Sequence, residues 1–507
     1  MTTAVSSFSL SSQQWASWYE QQLSGRFKWA VHFIQANEPD EIRPHFHSLL
    51  TLLERAWQRP FLHPLAADLI VALQPLPYLW GNWEEWLHIS RQSIPLFKEL
   101  NRSVDAADIL AGLVDMLFEL GQYDEACRVF EEIWQLPVTG RVIRPLLRAG
   151  HRVSTRLILA GKMAEGEAYY EKQRVLLAES QPPLARWDRF YASMYLILQE
   201  TLILRRHGQQ DEAAVKIESV IEQVEAWAEA PLDLRREMYH HHSGIRLATG
   251  DYQLSAATMD AAIHCAIQMH DPFAEASLLH DKCYPLWALG RYAQVETAVR
   301  HSIHLFETLN ADSRLLSALG TLIDVFTIRG SLDEALVWGI RHIELAQQLD
   351  DELEKNAAKT VYGIVYLNLG EPEQAVRHLE ESLLFYQDRN LLRWLSLAES
   401  NLAHCWADLG DVALGYDYAR RALAHAQEMK AVGFEMMAWR SMARFQTCQE
   451  KRDSLQHCRV LAQKYQVPYA EADSLLLLVP CGSDEAEKLL FWQQAVSLLQ
   501  EMGLENW

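Results

Sequence analysis

Nine glycines lie on one ruler in this chain of 507 residues: Gly81, Gly121, Gly161, Gly208, Gly250, Gly290, Gly330, Gly370 and Gly410. The intervals are 40, 40, 47, 42, 40, 40, 40 and 40 residues, in a sequence holding only 22 glycines. Related strings follow most of them: GQYDEA from 121, GDYQLS from 250, GRYAQV from 290, GSLDEA from 330 and GEPEQA from 370. A fixed period of about 20 to 50 residues marks stacked supersecondary units, none of which buries its apolar face alone. The ruler predicts a solenoid.

Each unit reads as two helices. Before the glycine runs a buried helical stripe at i, i+3, i+4 spacing, as in Leu402, Ala403 and Trp406 before Gly410, or Leu322 and Phe326 before Gly330. The glycine ends that helix, where a left-handed residue satisfies the last carbonyls without a Cβ penalty. Acids such as Asp124, Glu125, Asp333 and Glu334 follow, suiting the positive start of the next helix. A small residue five positions after the glycine (Ala126, Ala213, Ser255, Ala335, Ala375) allows close helix approach. A bulkier one four later (Phe130, Ile217, Met259, Val299, Leu379) closes the unit. The expected fold is all-α, a right-handed α-solenoid of antiparallel helix pairs.

Gly363, Tyr366, Gly370 and Ala375 match the small-aromatic-glycine-alanine skeleton of the tetratricopeptide repeat, which the pattern resembles over residues 62–447. The period is 40 residues rather than that family's usual 34, which lengthens each helix by about 4.5 Å. This longer form resembles the sensor arms of STAND-type signalling ATPases and of the maltose-regulon activator family. The stretch from Glu41 to Ile94 resembles the entry into such an arm. The resemblance implies a sensor beside a nucleotide-binding switch, but no G-x-x-x-x-G-K-[ST] string occurs, and Gly161-Lys162 falls at a repeat turn. The family's ATP hydrolysis is therefore not carried over. Outside the repeats no helix-turn-helix segment remains for DNA.

The expected organisation is an N-terminal helical cap over 1–61 with a frayed Ser/Thr-rich start, repeats over 62–447, and degenerate capping helices over 448–507. Two breaks in the ruler contain prolines, Pro182 with Pro183 and Pro231, and read as surface insertions or a contact loop. The tryptophans Trp80, Trp83 and Trp86 are expected in the core.

The net charge of −21 disfavours direct nucleic-acid binding and favours basic partners. No 18-residue apolar run and no export signal occur, so a cytoplasmic protein without a membrane anchor is expected. Seven cysteines without C-x-x-C pairs, with Cys265, Cys283 and Cys405 on helical stripes, read as buried thiols. His240, His241 and His242 point about 100° apart on a helix and do not converge on a metal. His301 and His304 lack a third ligand nearby in sequence. With no hydrolase, metalloprotease or dinucleotide motif, no enzyme, cofactor or metal is expected.

In arrays of the kind this chain resembles, the first helix of each pair lines the concave surface. Positions about ten, six and three before each glycine then select Asp115, Phe118, His151, Thr155, His280, Tyr284, Trp287, Asp324, Thr360, Ile364, Leu367, Ser400, His404 and Asp408. Tyr284, Asp324, Ile364 and His404 recur every 40 residues and would form a ladder along a groove, centred on Tyr284 and Trp287. Pro285 between the two aromatics is expected to kink that helix. The function expected is a non-enzymatic scaffold or adaptor that captures a protein or peptide segment, basic segments included, on aromatic anchors. The alternatives are a ligand-responsive sensor subunit, and a subunit or inhibitor of a protease or defence complex. The sequence leaves partner identity and oligomeric state open.

Overall fold

The computed structural model describes residues 11–81, 83–120, 122–137, 141–159, 162–179, 185–207, 209–349, 352–429 and 431–504. Gly121, Gly161, Gly208, Pro182 and Pro183 fall outside these residues, as do the first ten. No strand occurs among the described residues.

The chain packs as two compact units, Met1–Ile203 and Leu204–Trp507. In the first lie α1 (Ser12–Ala36), α2 (Phe46–Glu54), α3 (His63–Leu73), α4 (Trp83–Glu99), α5 (Ser103–Glu119), α6 (Tyr123–Trp134), α7 (Ile143–Leu159) and α8 (Met163–Glu179). The boundary falls within α9 (Arg186–Arg206). The second unit continues with α10 (Gln210–Ala226), α11 (Leu232–Thr249), α12 (Tyr252–Gln268), α13 (Pro272–Ala288), α14 (Tyr292–Leu309), α15 (Asp312–Ile328) and α16 (Leu332–Gln348). It ends with α17 (Glu352–Asn368), α18 (Pro372–Asp388), α19 (Leu392–Asp408), α20 (Val412–Glu428), α21 (Val432–Ala443), α22 (Cys448–Lys464), α23 (Pro468–Leu478) and α24 (Glu485–Glu501). Sequential helices pack on one another throughout the second unit, with α11 on α12, α13 on α14 and α19 on α20 as close pairs. The fold is an all-α array of tetratricopeptide-like helix pairs.

The ruler has a conformational cause. Gly81, Gly250, Gly290, Gly330, Gly370 and Gly410 all adopt positive φ, from 69° to 84°. At five of them the amide of the next residue reaches back five positions, as in Glu371 N–H to the Tyr366 carbonyl (3.0 Å) and Asp411 N–H to Trp406 (2.9 Å). The returning turns use the same device on a second ruler. His270, Asn310 and Asn390 have positive φ, and Asp271, Ala311 and Leu391 donate back to Ala266, Phe306 and Tyr386. Asparagine tolerates the left-handed region better than most side chains, which suits it to these turns.

Between the turns the small residues seal the helix crossings. Ala126, Ala213, Ser255, Ala335 and Ala375 are fully buried, and Phe130, Ile217, Met259, Val299 and Leu379 are buried as well. At the crossing of α17 with α18, a Cβ on Gly363 would stand 2.9 Å from Leu379 Cγ and 3.3 Å from the Ala375 carbonyl oxygen. Trp80, Trp83 and Trp86 lie in the core. All seven cysteines are free, with Cys265, Cys283 and Cys405 among the buried ones. At the start of the described residues, Ser11 and Gln14 close a capping box on α1, whose first helical residue is Ser12; residues 1–10 of the start expected to fray lie outside the described residues. α13 runs through Pro285 to Ala288, because the proline sits in its last turn. No helix among the described residues is long and apolar enough to cross a membrane.

Candidate functional site on the first helices of the second unit

Along the second unit the first helices of successive pairs also pack directly on each other: α11 on α13, α13 on α15, α15 on α17, α17 on α19, α19 on α21, and α21 on α23. That places them on the inner side of the stack. The curvature is tight enough that the Tyr284 hydroxyl of α13 faces the Arg393 guanidinium of α19, across two intervening first helices.

The three selected positions per helix behave differently. The position ten before the glycine is a packing position. His280 is buried and its Nε2 meets Thr321 Oγ1 of α15 at 3.0 Å. Thr360 is fully buried, bonded to Ser382 Oγ and the Tyr386 hydroxyl at 2.9 Å each, between α17 and α18. Ser400 is 1% exposed. These three therefore sit in seams rather than on an open groove face, because an early position on each helix is covered by the adjoining helix.

The position six before the glycine is the one that opens inward. Tyr284 is 42% exposed. Asp324, half-buried one helical turn beyond Thr321, has no hydrogen bond or ion pair among the described residues, and burial raises its carboxyl to about 7. Ile364 is half-buried on α17. His404 bonds Ser441 Oγ of α21 through Nε2 at 2.9 Å. Burial, with the charges of Arg444 and Arg440, holds it neutral well below the ordinary imidazole range.

At the third position Trp287 turns away from Tyr284. Its ring stands edge-on to Tyr292, centroids 5.0 Å apart at 80°, within a cluster with Ala472, Leu499, Met502 and Leu504. The C-terminal helices thus seal the end of α13, and Trp287 is packing against them. Leu367 remains beside the groove and lines the cavity described below.

Sequence reasoning passed over Asp281 and Arg393. Asp281 accepts from His240 Nε2 at 3.0 Å. Burial by itself raises Asp281, but the hydrogen bond from His240 and the charges of His240, His280 and Arg314 outweigh it and hold the carboxyl low. His240 in turn sits above its ordinary value: burial opposes this, and Asp281 prevails. His242 instead contacts Arg246 Nε at 3.1 Å, so the histidine run diverges as helix geometry requires. Asp281 lies 41 residues after His240, which is one repeat plus one position, the only trace of this pair in the sequence.

In the first unit, Asp115 of α5 is taken by Arg152 (3.2 Å) and Arg148 (3.8 Å) of α7. Phe118 packs against Tyr123 across the turn, with centroids 5.9 Å apart, and His151 is buried beside Tyr195. Thr155 is half-buried, with no hydrogen bond to its hydroxyl among the described residues. Asp115 is thus already paired, while Asp324 is not.

The inner face ends in a cavity of about 380 Å³ bounded by α17, α19, α21 and α23. Ser400, His404 and Asp408 line it together with Asn368, Arg440 and Asp473.

Comparison with known proteins agrees with this architecture. The tetratricopeptide repeat family model matches residues 107–132 and 356–381, the α5–α6 and α17–α18 pairs. No curated protein sequence matches the chain. Among solved structures it is similar to a Rap protein complexed with competence and sporulation factor, at 13% identity and TM-score 0.55, over 71% of this chain and 99% of that one. The Rap conjugation gene regulator of plasmid pLS20, in complex with the Phr* peptide, aligns at 10% identity and TM-score 0.49, over 71% and 96%. A signal-transduction ATPase with a tetratricopeptide repeat sensor, from Pyrococcus horikoshii, aligns at 12% identity and TM-score 0.36, over 67% and 54%.

Proposed function

We propose that this tetratricopeptide-like array is a non-catalytic receptor for a protein or peptide segment, bound along the inner face of the first helices of the second unit. The observation that carries the reading is Asp324. A carboxyl that burial raises to about 7, with no cation beside it among the described residues, is a standing cost to the fold unless something compensates it. A lysine or arginine of a bound segment supplies that compensation. Tyr284, exposed one repeat before it, offers an aromatic anchor, and Ile364 one repeat after it an apolar contact. The −21 charge steers basic segments toward the chain. The similar Rap structure, solved with a bound factor, is a precedent for binding by such a fold. The expectation of no enzyme belongs to the same reading, since the titratable groups on this face pair with each other or stand alone.

The test begins with a segment recovered by affinity capture and synthesised as a peptide. Tyr284→Ala weakens its binding about thirtyfold, the loss of one aromatic hot spot. Asp324→Asn removes the preference for a basic side chain in the peptide. Undiminished affinity in both variants, with native circular dichroism, refutes the assignment.

A further inference from the structure

The cavity at the end of the inner face has a chemistry of its own. Its volume of about 380 Å³ falls in the range that encloses small molecules, about 300–1,000 Å³. Its wall carries donors that lack acceptors. Ser400 is 1% exposed, and its hydroxyl has no hydrogen-bond partner among the described residues. Arg440 stands 3.3 Å from Asp473, yet its Nε and Nη1 make no hydrogen bond among the described residues. Arg444 is 3.6 Å from Asp408, an ion pair too long for a hydrogen bond. Two other donors on the wall are already served: the side-chain amide nitrogens of Asn368 and Asn401 donate to the Ile364 and Leu397 carbonyls, each at 2.8 Å. Buried donors without acceptors carry a desolvation cost that a ligand rich in acceptors removes.

We propose that this cavity binds a small molecule bearing an oxyanion, carboxylate or phosphate, held by the Arg440 guanidinium and the Ser400 hydroxyl. A planar guanidinium and a hydroxyl match the acceptor pattern that both anions share. The site stands apart from the segment-binding reading, because none of its donors depends on Tyr284 or Asp324. Four helices meet around it, so its ligand would tie α23 of the C-terminal region to the repeats and make the array responsive to a small effector.

The test is isothermal titration calorimetry on the full chain with inorganic phosphate, succinate and uncharged succinamide, ionic strength held constant with sodium chloride. On a chain of net charge −21, general attraction of anions is not expected, so saturable one-site binding of phosphate or succinate supports the site. The stronger of the two identifies the head group. Ser400→Ala, which deletes only an unpartnered hydroxyl, keeps the melting temperature and weakens binding about tenfold. Arg440→Gln abolishes detectable binding. No binding of either anion, equal binding of succinamide, or full affinity in Ser400→Ala overturns the proposal. Should Arg440→Gln fail to fold, Ser400→Ala decides alone.

Discussion

Replacing Asp324 with asparagine should stabilise the protein at alkaline pH and change little in acid. Burial is the single cause that lifts this carboxyl from 3.8 to about 7. The native state therefore binds a proton that the unfolded chain releases, and stability falls as pH rises from about 4 to about 7. Three pKa units at about 1.4 kcal/mol each set a ceiling of about 4 kcal/mol on the cost of ionising Asp324 in place. Because the side chain keeps part of its surface in groove water, about 1–3 kcal/mol is the expected gain for Asp324→Asn at pH 8.5. Below pH 4 the protonated carboxyl and the amide are near equivalents, and the gain vanishes. Parallel urea melts of the two proteins across pH 4 to 8.5 measure the difference, with the transition midpoint as readout because repeat arrays depart from two-state unfolding. A difference that stays flat with pH, or that grows toward acid, refutes the claim that Asp324 is an uncompensated buried acid.

The other predictions concern the fold and the division of labour along α13. Gly370→Ala, where a Cβ meets no atom within 4 Å but φ is 76°, should cost about 1 kcal/mol from the left-handed backbone alone. An unchanged thermal midpoint contradicts the ruler's conformational cause. Ala375→Trp overfills the crossing of α17 with α18 and should cost about 1–3 kcal/mol or more by the same assay. Trp287→Ala should destabilise the chain by about 3 kcal/mol, through its lost packing on Tyr292 and the C-terminal helices, while Tyr284→Ala leaves the melting temperature within a degree or two. Equal melting of the two variants contradicts their different placement.

The sequence made the helix pairs legible because glycine at a left-handed turn leaves a chemical mark that few other residues replace. The second ruler escaped notice for the same reason in reverse. Positions 270, 310 and 390 share the conformation but carry His, Asn and Asn, and a polar residue at a loop draws no attention. The 40-residue register placed Tyr284 and Asp324 at equivalent positions on successive first helices, since register follows from the repeat geometry itself. It did not separate the inward-opening position from the one four residues earlier, where Thr360 and Ser400 are covered by neighbouring helices. That difference depends on how closely consecutive first helices pack, which no periodicity records. The packing of Trp287 was not legible because its neighbours Met502 and Leu504 follow the last helix, in a segment lying off the ruler. The cavity shares this origin, with Tyr469 and Asp473 of α23 on its wall.

Site-specific photo-cross-linking tests the central claim most directly. With benzoylphenylalanine placed in turn at 284 and 364 on the inner face, and at 337 and 384 on second helices, where Val337 and Leu384 are 67% and 69% exposed, irradiation with the recovered partner reads out which face it lies against. The account predicts adducts from 284 and 364, lost when unlabelled peptide competes, and none from 337 or 384. Adducts confined to 337 and 384 would place the partner on the outer helices and contradict it.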